Sequence, residues 1–482
     1  MSKNLLSGWA ESDITPEGKN IELCGQYYQR ISRGIHSRLK AVALVMEQDG
    51  ETTVMVSLDL VGIPEEFCQH LQKSISIAIP KITPSKIILN AIHTHNAPDT
   101  KISTNRDWQR GTQGNDARAV YRELVKIKVL EAVEKAWNSR QPAGISNVLE
   151  FARIGHCRRA VYTNGTAEMY GRVDRDDFMG MEGGEDSGVD LLFFFDKEGL
   201  PTGVIVNVAC PSQVMEATYK ISSDFMGALR EKSKQEFGDN FITLPQISSA
   251  GCQAPRDLSR NYKGEPDFWH ENGVEVLSDR LLDAVKKGYK KAAESIVYDA
   301  EIRHSTKSLE LPRRRVSYLD YLKSVKEINR LKTIRGTEDA FKDFLEEIHK
   351  NELIPGRPGP YDSKLHHFVR IKNEEAVIER YEIQNEQPNF TMELHVVRIG
   401  DVVFSTNPFE TYLIYGQQIK AKSPAHQTFV IQLANGIGMY VPSERAEKLG
   451  GYGGMIINGS VGFNGGNKMV DETICAINRV YK

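Results

Sequence analysis

No stretch of this chain is apolar for long enough to span a bilayer, no charge of one sign dominates, and its cysteines never form a CxxC pair. Each absence excludes something. Without an apolar run of about 20 residues there is no candidate transmembrane helix. Lys plus Arg number 61 against 64 Asp plus Glu, a net charge of −3, so nothing calls for nucleic acid or an anionic membrane as a partner. The six cysteines, at 24, 68, 157, 210, 252 and 475, make no compact framework and are expected to be thiols in a reducing compartment. The start, "MSKNLLSGWAESDITPEGKN", lacks the apolar core and small-residue cleavage site of a secretory signal, and a cytoplasmic location is expected. There is no internal repeat and no low-complexity tract.

What is present is an ordinary globular balance, 40% apolar and 26% charged over 482 residues. That length suits two domains or one large multilayered enzyme domain. Apolar β-rich runs flank Gly-containing turns in "AVALVMEQDGETTVMVSLDLVGI" (41–63), "VDLLFFFDKEGLPTGVIVNVAC" (189–210) and "LHVVRIGDVVFST" (394–406), which predicts three hairpins. Apolar residues at three- and four-residue spacing predict helices over 119–140, 274–292 and 468–481. The class is therefore α/β, with mixed sheets flanked by helices. Residues 308–353 are highly charged and helix-rich, and "PGRPGP" (355–360) supplies strong breakers. This reads as a helical insertion within a catalytic domain over 1–482, its charges forming a solvated face.

Several strand-like runs stop abruptly at chemistry-bearing residues: "IILNAIHTH" at His93 and His95, "GVIVNVACPSQ" at Cys210, "FITLPQISSAGCQAP" at Cys252, "VVFSTNPFE" at Glu410 and "TFVIQLANGIGMY" at Tyr440. Ligands in open α/β sheets bind beyond the carboxyl ends of strands, so these ends are candidates to converge. Taken singly, each has a plainer reading. A lone histidine is more often a hydrogen-bonded structural group, and Cys210 suits a small buried hydrophobe. Glu410 opens a helix-like run, where the macrodipole favours a carboxylate anyway, and Tyr440 could pack against a turn.

Together, these segments resemble the catalytic domain of the neutral (non-lysosomal) ceramidase family. "SGWAESDITP", "GIHSRLKAVALVM", "NAIHTHNAP", "RIGDVVFSTNPFE" and "LANGIGMYVPSERAEKLGGYGG" are similar to its signature passages, in the same order along the whole chain. The resemblance implies one zinc ion, with ligands at His93, Cys210, Glu410 and Tyr440. It implies that His95 holds substrate or the reacting water. Arg158, Tyr440 and Tyr452 are implied as donors to substrate or oxyanion, and Gly25, Arg158, Cys252 and Tyr452 lie on the substrate side.

Two positions depart from the family pattern. Cys210 stands where the family has a zinc-binding histidine; a thiolate binds zinc well but leaves the ion less Lewis-acidic. Ala254, in "GCQAP", stands where the family has a serine that assists the ceramide amide. With that contact absent, and with neither the family's additional C-terminal domain nor a secretion signal in evidence, the expected substrate is a small soluble molecule. The reaction is hydrolysis of an amide or ester by metal-activated water. Two other readings stand beside it: covalent acyl transfer by Cys210 or Cys252 paired with an imidazole, and an inactive relative that keeps only a ligand-binding cavity.

Overall fold

A computed structural model describes residues 5–18, 21–26, 30–102, 114–260, 269–352 and 366–482. Each of the three hairpins read from the sequence becomes the middle of a separate sheet. Lys40–Gln48 and Glu51–Leu58 pair antiparallel across Asp49 and Gly50, whose φ values of 51° and 87° meet the positive-φ demand of a two-residue turn matched to strand twist. Leu6–Asp13 and Gln141–Pro142 add on one side and Ile87–Ala91 on the other, giving five strands.

The second sheet has the order Ile242–Ile247, Pro201–Val208, Gly188–Phe195, Gly144–Phe151. The third has the order Ile302–Pro312, Asn389–Ile399, Val402–Thr406, Gln427–Ile431.

Period-two alternation then decides the layers. In the first sheet, Ala43, Val45, Val54 and Val56 face the helices Glu65–Ala78 and Gly114–Asn138. Their neighbours Leu44, Met46 and Met55 point the other way, into a central core shared with Leu192, Phe194 and Leu244 of the second sheet and Val397, Phe404 and Phe429 of the third. The outer face of the second sheet packs on Asp224–Phe237 and His270–Ala292, and that of the third on Leu413–Lys422 and Phe463–Val480. Three helix-backed sheets thus meet on one apolar centre, where each fully buried aliphatic or aromatic side chain contributes about 1.5–3 kcal/mol.

The insertion differs from its sequence reading. Residues 308–312 belong to the strand Ile302–Pro312, which pairs over its whole length with Asn389–Ile399. Alternation of buried Leu309 and Leu311 with polar residues, rather than a helical period, explains this. The helices begin at Tyr318, run over Tyr318–Ile334 and Thr337–Glu352, and are joined by a third, His367–Ile383, beyond the expected end. Ile328, Leu331, Phe344, Phe368 and Ile371 give these helices a small core of their own. The "PGRPGP" breakers lie outside the described residues. Among the described residues no helix is long and apolar enough to cross a membrane.

Each sheet contains a parallel pair: Glu51–Leu58 with Ile87–Ala91, Pro201–Val208 with Ile242–Ile247, and Val402–Thr406 with Gln427–Ile431. The carboxyl ends of these strands are stitched together by main-chain hydrogen bonds from Ala91 to Leu433, Ser212 to Ile92 and Gln432 to Ile247. The polar strand ends of the sequence are thereby brought to one place.

Candidate active site

His93 follows the strand Ile87–Ala91 in the left-handed region, φ 63°, a conformation in which histidine is over-represented among non-glycine residues. Its Nδ1 lies 2.7 Å from the Val61 carbonyl. A carbonyl only accepts, so Nδ1 is the donor there. The other nitrogen, Nε2, is 3.4 Å from Glu410 Oε2 and 3.3 Å from His95 Nε2.

His95 is held from its other side by Glu216, whose Oε2 is 3.1 Å from Nδ1; the carboxylate draws the second imidazole's proton outward too. Burial lowers the His95 pKa, with Glu216 opposing and His93 reinforcing the shift, so the ring is neutral at pH 7. His93 Nε2 therefore has both the His95 imidazole and the Glu410 carboxylate within 3.4 Å.

Behind His95, the buried guanidinium of Arg30 donates to the main-chain oxygens of His95, Cys24, Glu216 and Thr218. Gly25, expected on the substrate side, packs directly on the ring: a Cβ there would lie 2.4 Å from His95 Cγ, at φ +100°.

Glu410 does not start a helix. Glu410–Thr411 forms a short parallel ladder with Tyr440–Val441, Glu410 opposite Tyr440, and the helix begins at Leu413. Main-chain bonds from Glu410 to the Met439 carbonyl and from Tyr412 to the Val441 carbonyl fix it, so the two side chains are neighbours by register. Burial would raise the Glu410 pKa, but His93, Arg158 and a hydrogen bond from Tyr440 outweigh it and hold the group ionised.

Arg158 enters from the second sheet's side. Its Nη2 is 3.3 Å from Tyr440 Oη, 3.0 Å from the Gly251 carbonyl and 4.0 Å from Glu410 Oε2, and its Nη1 is 3.3 Å from Tyr170 Oη. Burial disfavours its charge, yet Tyr440, Tyr170 and Glu410 together keep it protonated. Tyr452 stands edge-on to Tyr440, ring centres 5.6 Å apart at 75°.

The structure thus gathers His93, His95, Gly25, Arg158, Glu410, Tyr440 and Tyr452. It adds three residues that the sequence did not single out. Glu216 lies six residues past Cys210. Tyr170 is held by Gln213 Nε2 at 2.6 Å. A carboxylate just beyond a polar strand end was a usable signal for Glu216; Tyr170 and Gln213 carried none.

The cysteines sit differently from expectation. Cys210 is fully buried, its Sγ 3.4 Å from the Ile154 carbonyl and 3.6 Å from the Pro211 carbonyl. Burial pushes its pKa far up, and its Sγ lies against those two carbonyl oxygens. Cys252 accepts from the Leu413 main chain and from Gln253, and burial pushes its pKa to about 11. Among the described residues neither thiol is hydrogen-bonded to an imidazole. Ala254 is buried and paired with His156 in a two-residue ladder. Among the described residues, no three His, Cys, Asp or Glu side chains are grouped to hold a metal by themselves.

No protein-family model and no curated protein matches this chain. Solved structures do. A neutral ceramidase from Pseudomonas aeruginosa superposes with a TM-score of 0.70 at 18% identity, covering 99% of this chain and 75% of its own. A ceramidase complexed with C2 gives 0.69 at 17%, covering 99% and 76%. The chain has the neutral ceramidase fold. The α/β class and the family likeness read from the signature passages both stand on that match. On this fold the strand ends of all three sheets converge, and the cluster around His93 lies near their junction.

Proposed function

We infer that this protein hydrolyses an amide or ester bond in a small substrate, using water activated at a zinc ion. One observation carries this: His93 Nε2 converges with Glu410 and its ladder neighbour Tyr440, beside a charged Arg158. An imidazole anchored through Nδ1 to a carbonyl is the outer-sphere pattern of a metal-bound histidine. With Glu410 and Tyr440 it makes a three-ligand set that leaves a position for water. The residues therefore fit the ion without a thiolate from Cys210. A bound zinc would lower the pKa of its water to about 7 and polarise the scissile carbonyl.

The chain's own groups do the rest. His95, oriented by Glu216 and neutral, accepts the proton of the attacking water and returns it to the leaving group. Arg158 donates to the oxygen on which charge develops, and Tyr452, edge-on to Tyr440, lines the substrate side. Tyr170 and Gln213 hold the Arg158 guanidinium in that orientation. Ala254 has no hydroxyl to offer, which supports a substrate other than ceramide.

The test is zinc content by elemental analysis, for wild type and His93→Ala, together with hydrolysis of a panel of short-chain 4-methylumbelliferyl esters, coumarin amides and a fluorogenic ceramide. Near-stoichiometric zinc lost in the variant, with turnover of short-chain probes, is expected. A metal-free wild type would overturn the zinc assignment, and ceramide turnover matching the best probe would overturn the substrate assignment.

A further inference from the structure

Arg158 and Arg159 are adjacent in sequence and opposite in direction. Arg158 reaches the site, whereas the side chain of Arg159 is wholly buried and spends its donors on other segments. Its Nε donates to Glu182 Oε2 at 2.6 Å, Nη1 to the Tyr452 carbonyl at 2.5 Å and Nη2 to the Gly450 carbonyl at 2.6 Å. The ion pair with Glu182, itself buried, offsets the cost of placing a guanidinium in the interior.

The carbonyls it holds belong to "GGYGG", residues 450–454. Gly450, Gly451 and Gly453 have φ of 69°, 71° and 82°. Glycine reaches these values freely but also reaches many others, so a loop of this composition has much conformational entropy to lose in taking one shape. The far end is tied by Arg314, whose Nη1 donates to the Gly454 carbonyl at 2.7 Å. Between the two ties stands Tyr452, facing Tyr440.

We propose that Arg159, anchored by Glu182, is a positioning residue that fixes the Gly450–Gly454 loop and so sets Tyr452 as the substrate wall opposite Tyr440. Its catalytic consequence rests on the hydrolase reading above; its structural consequence does not. Arg159 acts through Tyr452, so removing it should disturb substrate binding more than the chemical step.

The test uses the full chain with Arg159→Met, Tyr452→Ala, the double variant, and Arg159→Lys, which keeps the charge on a single donor nitrogen. Amide hydrogen exchange across 450–454 is expected to quicken roughly tenfold or more in Arg159→Met, as a lost charge-assisted anchor implies, with 440–441 unchanged. On the best ester or amide of the panel, KM should rise roughly tenfold while kcat stays within about twofold. The double variant should be no worse than Tyr452→Ala alone, and Arg159→Lys should recover part of the loss. Unchanged exchange at 450–454 in a folded variant, or additive effects in the double variant, overturns the proposal. If wild type turns over no probe, the hydrolase reading falls, and the exchange measurement alone still decides the clamp. Should Arg159→Met fail to fold, Arg159→Lys carries the same comparisons.

Discussion

The Nε2 atoms of His93 and His95 lie 3.3 Å apart, and each ring has its opposite nitrogen against an acceptor, the Val61 carbonyl and the Glu216 carboxylate. Both rings are therefore anchored from behind, with their Nε2 atoms turned toward each other. The partners behind the rings distinguish their roles. On the proposed function, His93, facing Glu410, is the ligand and His95, facing Glu216, handles the proton. Zinc measured by elemental analysis should therefore fall to background in His93→Ala and stay near wild type in His95→Ala, whereas probe turnover should fall in both by about a hundredfold or more. Cys210→Ser should keep its zinc, because the thiol lies against carbonyl oxygens.

Gly25 is where His95 is most easily displaced. A methyl group at 2.4 Å from Cγ, on a residue at φ +100°, must push the ring or the backbone aside. Gly25→Ala is expected to lower kcat by about a hundredfold with little change in zinc content. A variant as active as wild type would show that His95 tolerates displacement.

Thiol chemistry predicts the opposite accessibility from the structure. Cys475 is exposed and Cys24 partly so, while Cys210 and Cys252 are buried with raised pKa values. Brief iodoacetamide treatment, read by peptide mass spectrometry, should label Cys475 first and spare Cys210 and Cys252. Activity should survive. Parallel loss of activity and labelling of either buried thiol would revive covalent catalysis.

Asp224 makes stability depend on pH. Burial raises its pKa to about 6, against hydrogen bonds from the Met215 and Phe225 main chain that lower it. Its unfolded value is about 3.9, so the folded state binds the proton more tightly. The resulting stabilisation is complete below about pH 4 and is lost as pH rises through about 6, a loss of about 3 kcal/mol by pH 7. Asparagine tolerates the φ of 56° found here. Chemical denaturation of Asp224→Asn between pH 4 and 7 should show that part of the slope removed.

Asp59 and Arg230 form a fully buried bidentate pair, Oδ1 to Nη1 at 2.8 Å and Oδ2 to Nη2 at 2.5 Å. Removing one partner strands the other. Arg230→Met should cost about 3–5 kcal/mol by denaturant unfolding, and the paired change Asp59→Leu with Arg230→Met considerably less.

Local pattern was enough for the sequence to specify the three hairpins, the longer helices and the polar strand ends, because alternation and helical spacing record which face of an element is buried. "IILNAIHTH" carried the imidazoles to a strand's carboxyl end by itself. Tertiary structure alone decided what stands opposite them. Glu216 reaches His95 across more than a hundred residues of chain, Glu410 meets Tyr440 through a two-residue ladder that looked like a helix start, and Cys210 became a hydrogen-bonded thiol through its neighbours' carbonyls. Arg159, next to Arg158 in sequence, has its donors taken by the loop at 450–454. Periodicity encodes the face a residue presents; the partner it meets there is set by long-range packing, which no local pattern contains.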